Sequence, residues 1–155
     1  MEDLGRIAAF LERDHDEVDD LFEKYRDAKD RGGRASEAAF REFDVRLRRH
    51  IDWEEEVLFP VFEQRTEGQM QRRPTILMRH EHEQIRMYLD LIADALMSGS
   101  SPRTYENALL TTLQEHNEKE EGILYPWFDR ELSEEETEDV LRTLKKRAGA
   151  EGSRA

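Results

Sequence analysis

His50-Ile51-Asp52-Trp53-Glu54-Glu55-Glu56-Val57-Leu58-Phe59-Pro60 returns 66 residues later as His116-Asn117-Glu118-Lys119-Glu120-Glu121-Gly122-Ile123-Leu124-Tyr125-Pro126. The shared form is H-x-x-x-E-E-x-[VI]-L-[FY]-P. A second pair of passages, Asp14-His15-Asp16-Glu17-Val18 and Glu81-His82-Glu83-Gln84-Ile85, stands 67 residues apart. Each half of the chain therefore carries one histidine followed by one His-x-x-x-Glu, as a duplicated pair of helices would.

Apolar residues spaced by three and four extend these passages into helices. The first is expected over 4–29, with Leu4, Ala8, Leu11, His15, Val18, Phe22 and Tyr25 on its seam, ending at Arg31-Gly32-Gly33. The second, over 36–64, carries Phe40, Phe43, Leu47, His50, Glu54, Val57, Leu58 and Val61. The third begins near Pro74, carries Met78, His82, Ile85, Leu89, Ile92 and Leu96, and stops at Ser98-Gly99-Ser100. Ser101 caps the fourth, with Pro102 as its first helical residue. Its seam is Tyr105, Leu109, Thr112, His116, Glu120, Ile123 and Trp127. Ser133 and Glu136 form a capping box for a short fifth helix that frays after Arg147. Pro60 and Pro126 should each kink or end a helix, below the working part of the molecule.

The expected fold is all-α: an antiparallel up-down-up-down four-helix bundle with a short C-terminal fifth helix. Residues 1–148 form a single domain and 149–155 a disordered tail.

Residues four apart on a helix lie one above the other on the same face. His50 and Glu54 can thus reach one ion, as can His116 and Glu120. All four histidines fall on apolar seams, where ionisable groups are costly unless paired or coordinated. A lone His-x-x-x-Glu is commonplace on a charged helix surface. Two in register, each with a partner histidine on the preceding helix, point to metal, with His15, His50, Glu54, His82, His116 and Glu120 as ligands. Six ligands exceed the four of a closed zinc site. Two ions fit better, each held by two histidines, with Glu54 and Glu120 bridging.

Composition agrees. The 155 residues suffice for one real core. The absence of cysteine excludes disulfides and thiolate ligands, leaving iron, manganese or zinc on imidazole and carboxylate. A net charge of −13 argues against nucleic-acid binding. No stretch has the length of a membrane span, and the N-terminus lacks a basic-then-apolar leader, so a cytoplasmic location is expected.

These residues resemble the hemerythrin-like (HHE cation-binding) family up to about Arg130. The likeness rests on His15, His50-x-x-x-Glu54, His82 and His116-x-x-x-Glu120, with the flanking Leu-Phe-Pro and Leu-Tyr-Pro runs. It implies a four-helix bundle, a non-haem di-iron centre and binding of oxygen or a related small ligand. The expected cofactor is two iron ions, bridged by carboxylate and by an oxo or hydroxo group. Oxygen-carrying hemerythrins have H-x-x-x-H on the third helix and H-x-x-x-x-D on the fourth. Here Met78 stands in place of the first of those histidines, and Glu120 comes at the shorter spacing, with Glu121 at the longer one.

The missing histidine leaves open positions suited to dioxygen, nitric oxide or peroxide, bound or reduced. The alternatives are a regulatory iron or oxygen sensor acting on a protein partner, and a metal-storage or zinc-binding bundle without redox chemistry. His80 lies about 200° around the helix from His82 and is expected outside the ligand set. Glu55, Glu56 and Glu121 are expected to be solvated or to orient ligating histidines. Trp53, Trp127, Phe59 and Tyr125 read as packing around the bundle end.

Overall fold

The spacing of apolar residues produces helices and no strand among the described residues, which in this computed structural model are 5–31, 33–65 and 69–152. α1 (Arg6–Arg31) buries Ile7, Leu11, His15, Val18, Phe22 and Tyr25 along one stripe. Its first turn is capped from the far half of the chain. Asp129 accepts the backbone N–H of Ile7 at 3.0 Å and of Ala8 at 3.1 Å. A Cβ at Gly5 would stand 2.0 Å from Asp129 Oδ2, so only glycine leaves room for that cap.

α2 (Arg34–Trp53) passes through a π-helical turn (Glu54–Leu58) into α3 (Phe59–Arg65). α4 (Gln69–Ser98) follows. α5 (Arg103–Lys119) likewise passes through a π turn (Glu120–Leu124) into α6 (Tyr125–Glu131), and α7 (Glu134–Gly152) closes the chain. Thus α4 begins at Gln69, ahead of the expected start at Pro74. It ends where expected: Gly99 takes φ +75°, with Gly99 N–H on Leu96 O and Ser100 N–H on Ala95 O. Pro102 is itself the cap of α5, and Ser101 Oγ accepts the Arg103 N–H at 3.4 Å.

The Ser133–Glu136 box is present in both directions, at 2.9 and 3.0 Å. Yet α7 is not short. Val140, Leu141 and Leu144 bury themselves beside Leu11, Trp53 and Phe59, and the helix runs past Arg147 to Gly152. Of the expected tail, 153–155 lie outside the described residues, as does Leu4.

The prolines act where they were not expected to. In each π turn a backbone N–H reaches five residues back, Phe59 to Glu54 O and Tyr125 to Glu120 O. A π turn accommodates one extra residue. Pro60 and Pro126 come directly after, and a proline ring is incompatible with the carbonyl four residues before it in a regular helix. The distortion therefore starts at Glu54 and Glu120 themselves, and the helix continues beyond each proline.

Downstream, the buried face moves on by one residue. Phe62 and Phe128 are fully buried instead of Val61 and Trp127, and Leu124 replaces Ile123, which is 61% exposed.

α1 packs chiefly on α2, and α4 on α5. The core divides into two apolar clusters. One gathers Leu11, Trp53, Phe59, Phe62, Phe128 and Leu144; the other gathers Phe22, Tyr25, Phe40, Phe43, Leu89 and Leu109. Between them lies a buried polar layer. Among the described residues no helix is long and apolar enough to cross a membrane.

Candidate metal centre

All six expected ligands meet in that layer. His15, His50, His82 and His116 are at most 5% exposed, and Glu54 and Glu120 are fully buried. They form two overlapping groups: Glu54, His82, His116 and Glu120, and His15, His50 and Glu120. Ring centroids lie 4.4 Å apart for His15 and His50, and 4.8 Å for His82 and His116. The two histidines of each sequence half are therefore neighbours. His80 is exposed and belongs to neither group. Met78 is buried in the apolar cluster with Trp53 and Phe59.

Each histidine turns Nε2 inward. His15 and His116 place it 3.2 Å from Glu120 Oε1, and His82 places it 3.1 Å from Glu54 Oε1. His50 Nε2 lies 3.8 Å from Glu54 Oε2.

Each Nδ1 faces outward to a carboxylate on a different helix. Asp14 of α1 holds His50 of α2 at 2.8 Å, and Glu55, just beyond α2, holds His82 of α4 at 2.8 Å. Glu81 of α4 holds His116 of α5 at 2.8 Å, and Glu121, just beyond α5, holds His15 of α1 at 3.1 Å. The four bonds close a ring around the centre. With Nδ1–H donated outward, the Nε2 lone pair is aimed at the middle, as metal-binding imidazoles are held.

Three of the four carboxylates are themselves clamped by cations. Arg46 reaches Asp14 at 3.1 Å, Arg86 reaches Glu55 at 2.8 Å, and Lys119 bonds Glu81. Burial opposes ionisation of Glu55, but the bonds from His82 and Arg86 pull it down to about 2. Asp14 is likewise lowered against burial, by His50 and Arg46. Glu81 is lowered first by His116 and further by Lys119. Glu56, by contrast, lies on the surface beside Arg147.

Tyr125 corrects the packing role expected of it. Its hydroxyl donates to Glu54 Oε2 at 2.8 Å and lies 3.1 Å from Glu120 Oε1, 3.1 Å from His50 Nε2 and 3.2 Å from His15 Nε2. Phe59 stacks parallel to His82 at 5.8 Å, and Trp53 lies 6.4 Å from His50 under the Arg49 guanidinium. Trp127 is set edge-on to Phe62, so of the four only Tyr125 departs from the expected packing role.

The electrostatics call for positive charge. Burial lowers the affinity of His15 for a proton, but its bonds to Glu120 and Glu121 outweigh this and push it up to about 10. For His116, burial is outweighed by the charge of Glu120 and the bonds to Glu120 and Glu81, again to about 10. Burial and the Glu120 charge raise Glu54, whereas Glu120, despite burial, is held well below the usual range by His116, Glu54 and His15.

Even so, Glu54 Oε1, His82 Nε2 and Glu120 Oε2 are buried without a hydrogen bond. His82 Nε2 and Glu54 Oε1 are close but misaligned. A buried polar atom without a partner costs about 1–3 kcal/mol, and a cation at the centre would satisfy all three. The donor set fits a metal.

A helical bundle with a buried layer of imidazole and carboxylate is the architecture of a cation-binding protein. The chain belongs to the hemerythrin HHE cation-binding domain family, whose sequence profile matches residues 6–128. That span holds all six inward-facing residues and Tyr125, and leaves out α7. Among curated proteins and among solved structures, none matches the chain significantly.

Proposed function

We propose that this chain is a non-haem di-iron protein that binds or reduces a small ligand such as dioxygen, nitric oxide or peroxide. Its frame is an antiparallel up-down-up-down four-helix bundle closed by α7. The observation that carries the reading is the convergence of four inward Nε2 atoms on two fully buried carboxylates, with Glu54 Oε1, His82 Nε2 and Glu120 Oε2 left without hydrogen bonds. Two donor groups sharing Glu120 support two ions: His15 and His50 would hold one, His82, His116 and Glu54 the other, with Glu120 in reach of both. Imidazole with carboxylate and no thiolate suits iron.

A bound iron pair would supply redox chemistry and open coordination positions. The protein's part is to fix the imidazoles through the carboxylate ring, keep water out with the two apolar clusters, and hold a proton at the Tyr125 hydroxyl. A small, partly open void of about 10 Å³, lined by His15, His50 and His116 under Val18, Leu47 and Ile85, has room for about one water-sized group beside the centre.

The test is anaerobic loading with ferrous iron, counting bound iron per chain and recording the absorption spectrum before and after oxygen. Two irons per chain and a new oxo-bridge band are expected. His50→Ala and His116→Ala should lose most of the iron, whereas His80→Ala keeps it. Equal loss in all three variants, or one ion or none in the unaltered chain, would overturn the reading.

A further inference from the structure

The carboxylate ring is broken in symmetry at one place. Asp14, Glu55 and Glu81 each have a Lys or Arg partner, but among the described residues Glu121 makes an ion pair only with His15. The Glu121 side chain is 37% exposed, against 6% for Asp14 and 17% for Glu55. His15 is thus the inward-facing histidine whose outer support is least confined.

That open corner gives onto a surface cleft of about 670 Å³ between α1 and α5. Asp16, Asp19, Asp20, Glu23, Glu118 and Glu121 line it, and among the described residues Arg26 is the one Lys or Arg on its walls, with His15 at its inner end. The cleft and the void beside the centre share His15, Asp19, Leu113 and Asn117 as walls, so they are neighbours separated by those side chains. Burial, against the pull of His15 but with the charges of Asp16 and Glu121, raises the Asp19 carboxyl above its usual range. At the foot of the path stands Glu120, fully buried, whose Oε2 has no hydrogen-bond partner.

The geometry points to the α1–α5 cleft as the route by which a divalent metal cation reaches the buried layer, with the His15–Glu121 pair as its inner gate. This rests on the metal-centre reading above. A cleft lined by one sign of charge concentrates the opposite ion and speeds its arrival, by about 10- to 1,000-fold in strong cases. Glu121, free of a competing Lys or Arg, can swing with His15 and hand the cation to Glu120. The other three corners are pinned by the cations that clamp them.

The experiment follows cobalt(II) uptake by the metal-free full chain in a stopped-flow spectrometer, at low and high ionic strength. Asp16→Asn/Asp20→Asn/Glu118→Gln removes three of the six acids at the mouth without touching the inward-facing residues. Glu37→Gln/Glu83→Gln/Asp94→Asn removes the same charge from exposed positions elsewhere. The mouth variant should load ~10-fold more slowly at low salt and lose most of its salt dependence, yet reach the same final stoichiometry. The control should load as the unaltered chain does. Equal rates for the two variants would overturn the route while leaving the metal centre intact. An unaltered chain that takes up no cobalt would overturn the metal centre, and the route with it.

Discussion

Tyr125 and Phe59 occupy equivalent places in the two repeats, yet only Tyr125 puts a polar atom into the centre, within 3.2 Å of His15, His50, Glu54 and Glu120. Phe59 instead lies flat on His82. The two halves of the centre are therefore unequal, with a hydroxyl beside the His15–His50 pair and a bare ring beside His82.

Tyr125→Phe isolates that difference. In the metal-free protein it removes the donor to Glu54 Oε2, and should cost about 1–3 kcal/mol in urea unfolding. An unfolding free energy equal to that of the unaltered chain would show that the hydroxyl is not what holds Glu54.

Asp14→Ala tests the carboxylate ring. His50 would lose its Nδ1 partner, and Arg46 would lose one of its two carboxylates. Supporting residues of this kind typically contribute 10- to 100-fold in metal affinity. Competition against a chelator should show that loss, with far-UV circular dichroism unchanged. Unchanged affinity would mean that the ring only packs.

The helices were legible because burial enforces a spacing of three and four, and the centre because its six residues recur at an interval of 66 or 67. Three features were legible only in part or not at all. Of the carboxylate ring, Glu55 and Glu121 were expected as residues that could orient histidines. But the ring works across helices: Asp14 serves His50 rather than its neighbour His15, a pairing that the geometry of one helix does not disclose. Tyr125 would lie about 140° around a regular helix from Glu120, and only the π turn brings it back. The turns themselves left a single trace, the prolines, which read equally well as kinks.

His15 and His116, with His82 raised in the same sense, give the metal-free protein a pH-dependent stability. His15 and His116 are each raised from 6.5 to about 10 on folding. A group raised in the folded state contributes stability that is complete below its unfolded value and lost as pH rises through its folded one. The melting temperature of the metal-free chain should therefore fall between about pH 6.5 and 10. Bound metal takes the place of those protons, so the loaded chain should hold its melting temperature across that window. Parallel curves for the two forms would show that the histidines do not carry this term.

If each π turn is one residue inserted into a regular helix, then removing one residue inside it should restore the helix and leave the later residues in place. Glu56 is the residue to delete, because it is exposed and, among the described residues, paired only with Arg147 at 3.3 Å. Pro60→Ala must accompany it, since the ring at Pro60 would otherwise meet a carbonyl of the restored α-helix. In that double variant Phe59 and Phe62 return to the core face by the ordinary count of three and four, and the loss in melting temperature should be small. Deleting Arg48 in the middle of α2 has no such remedy. It rotates every later residue of the helix by about 100°, takes His50 and Glu54 off the seam, and should unfold the protein. Equal damage from the two deletions would mean that the π turns are not insertions, and that the offset of the buried face after Glu54 and Glu120 has another cause.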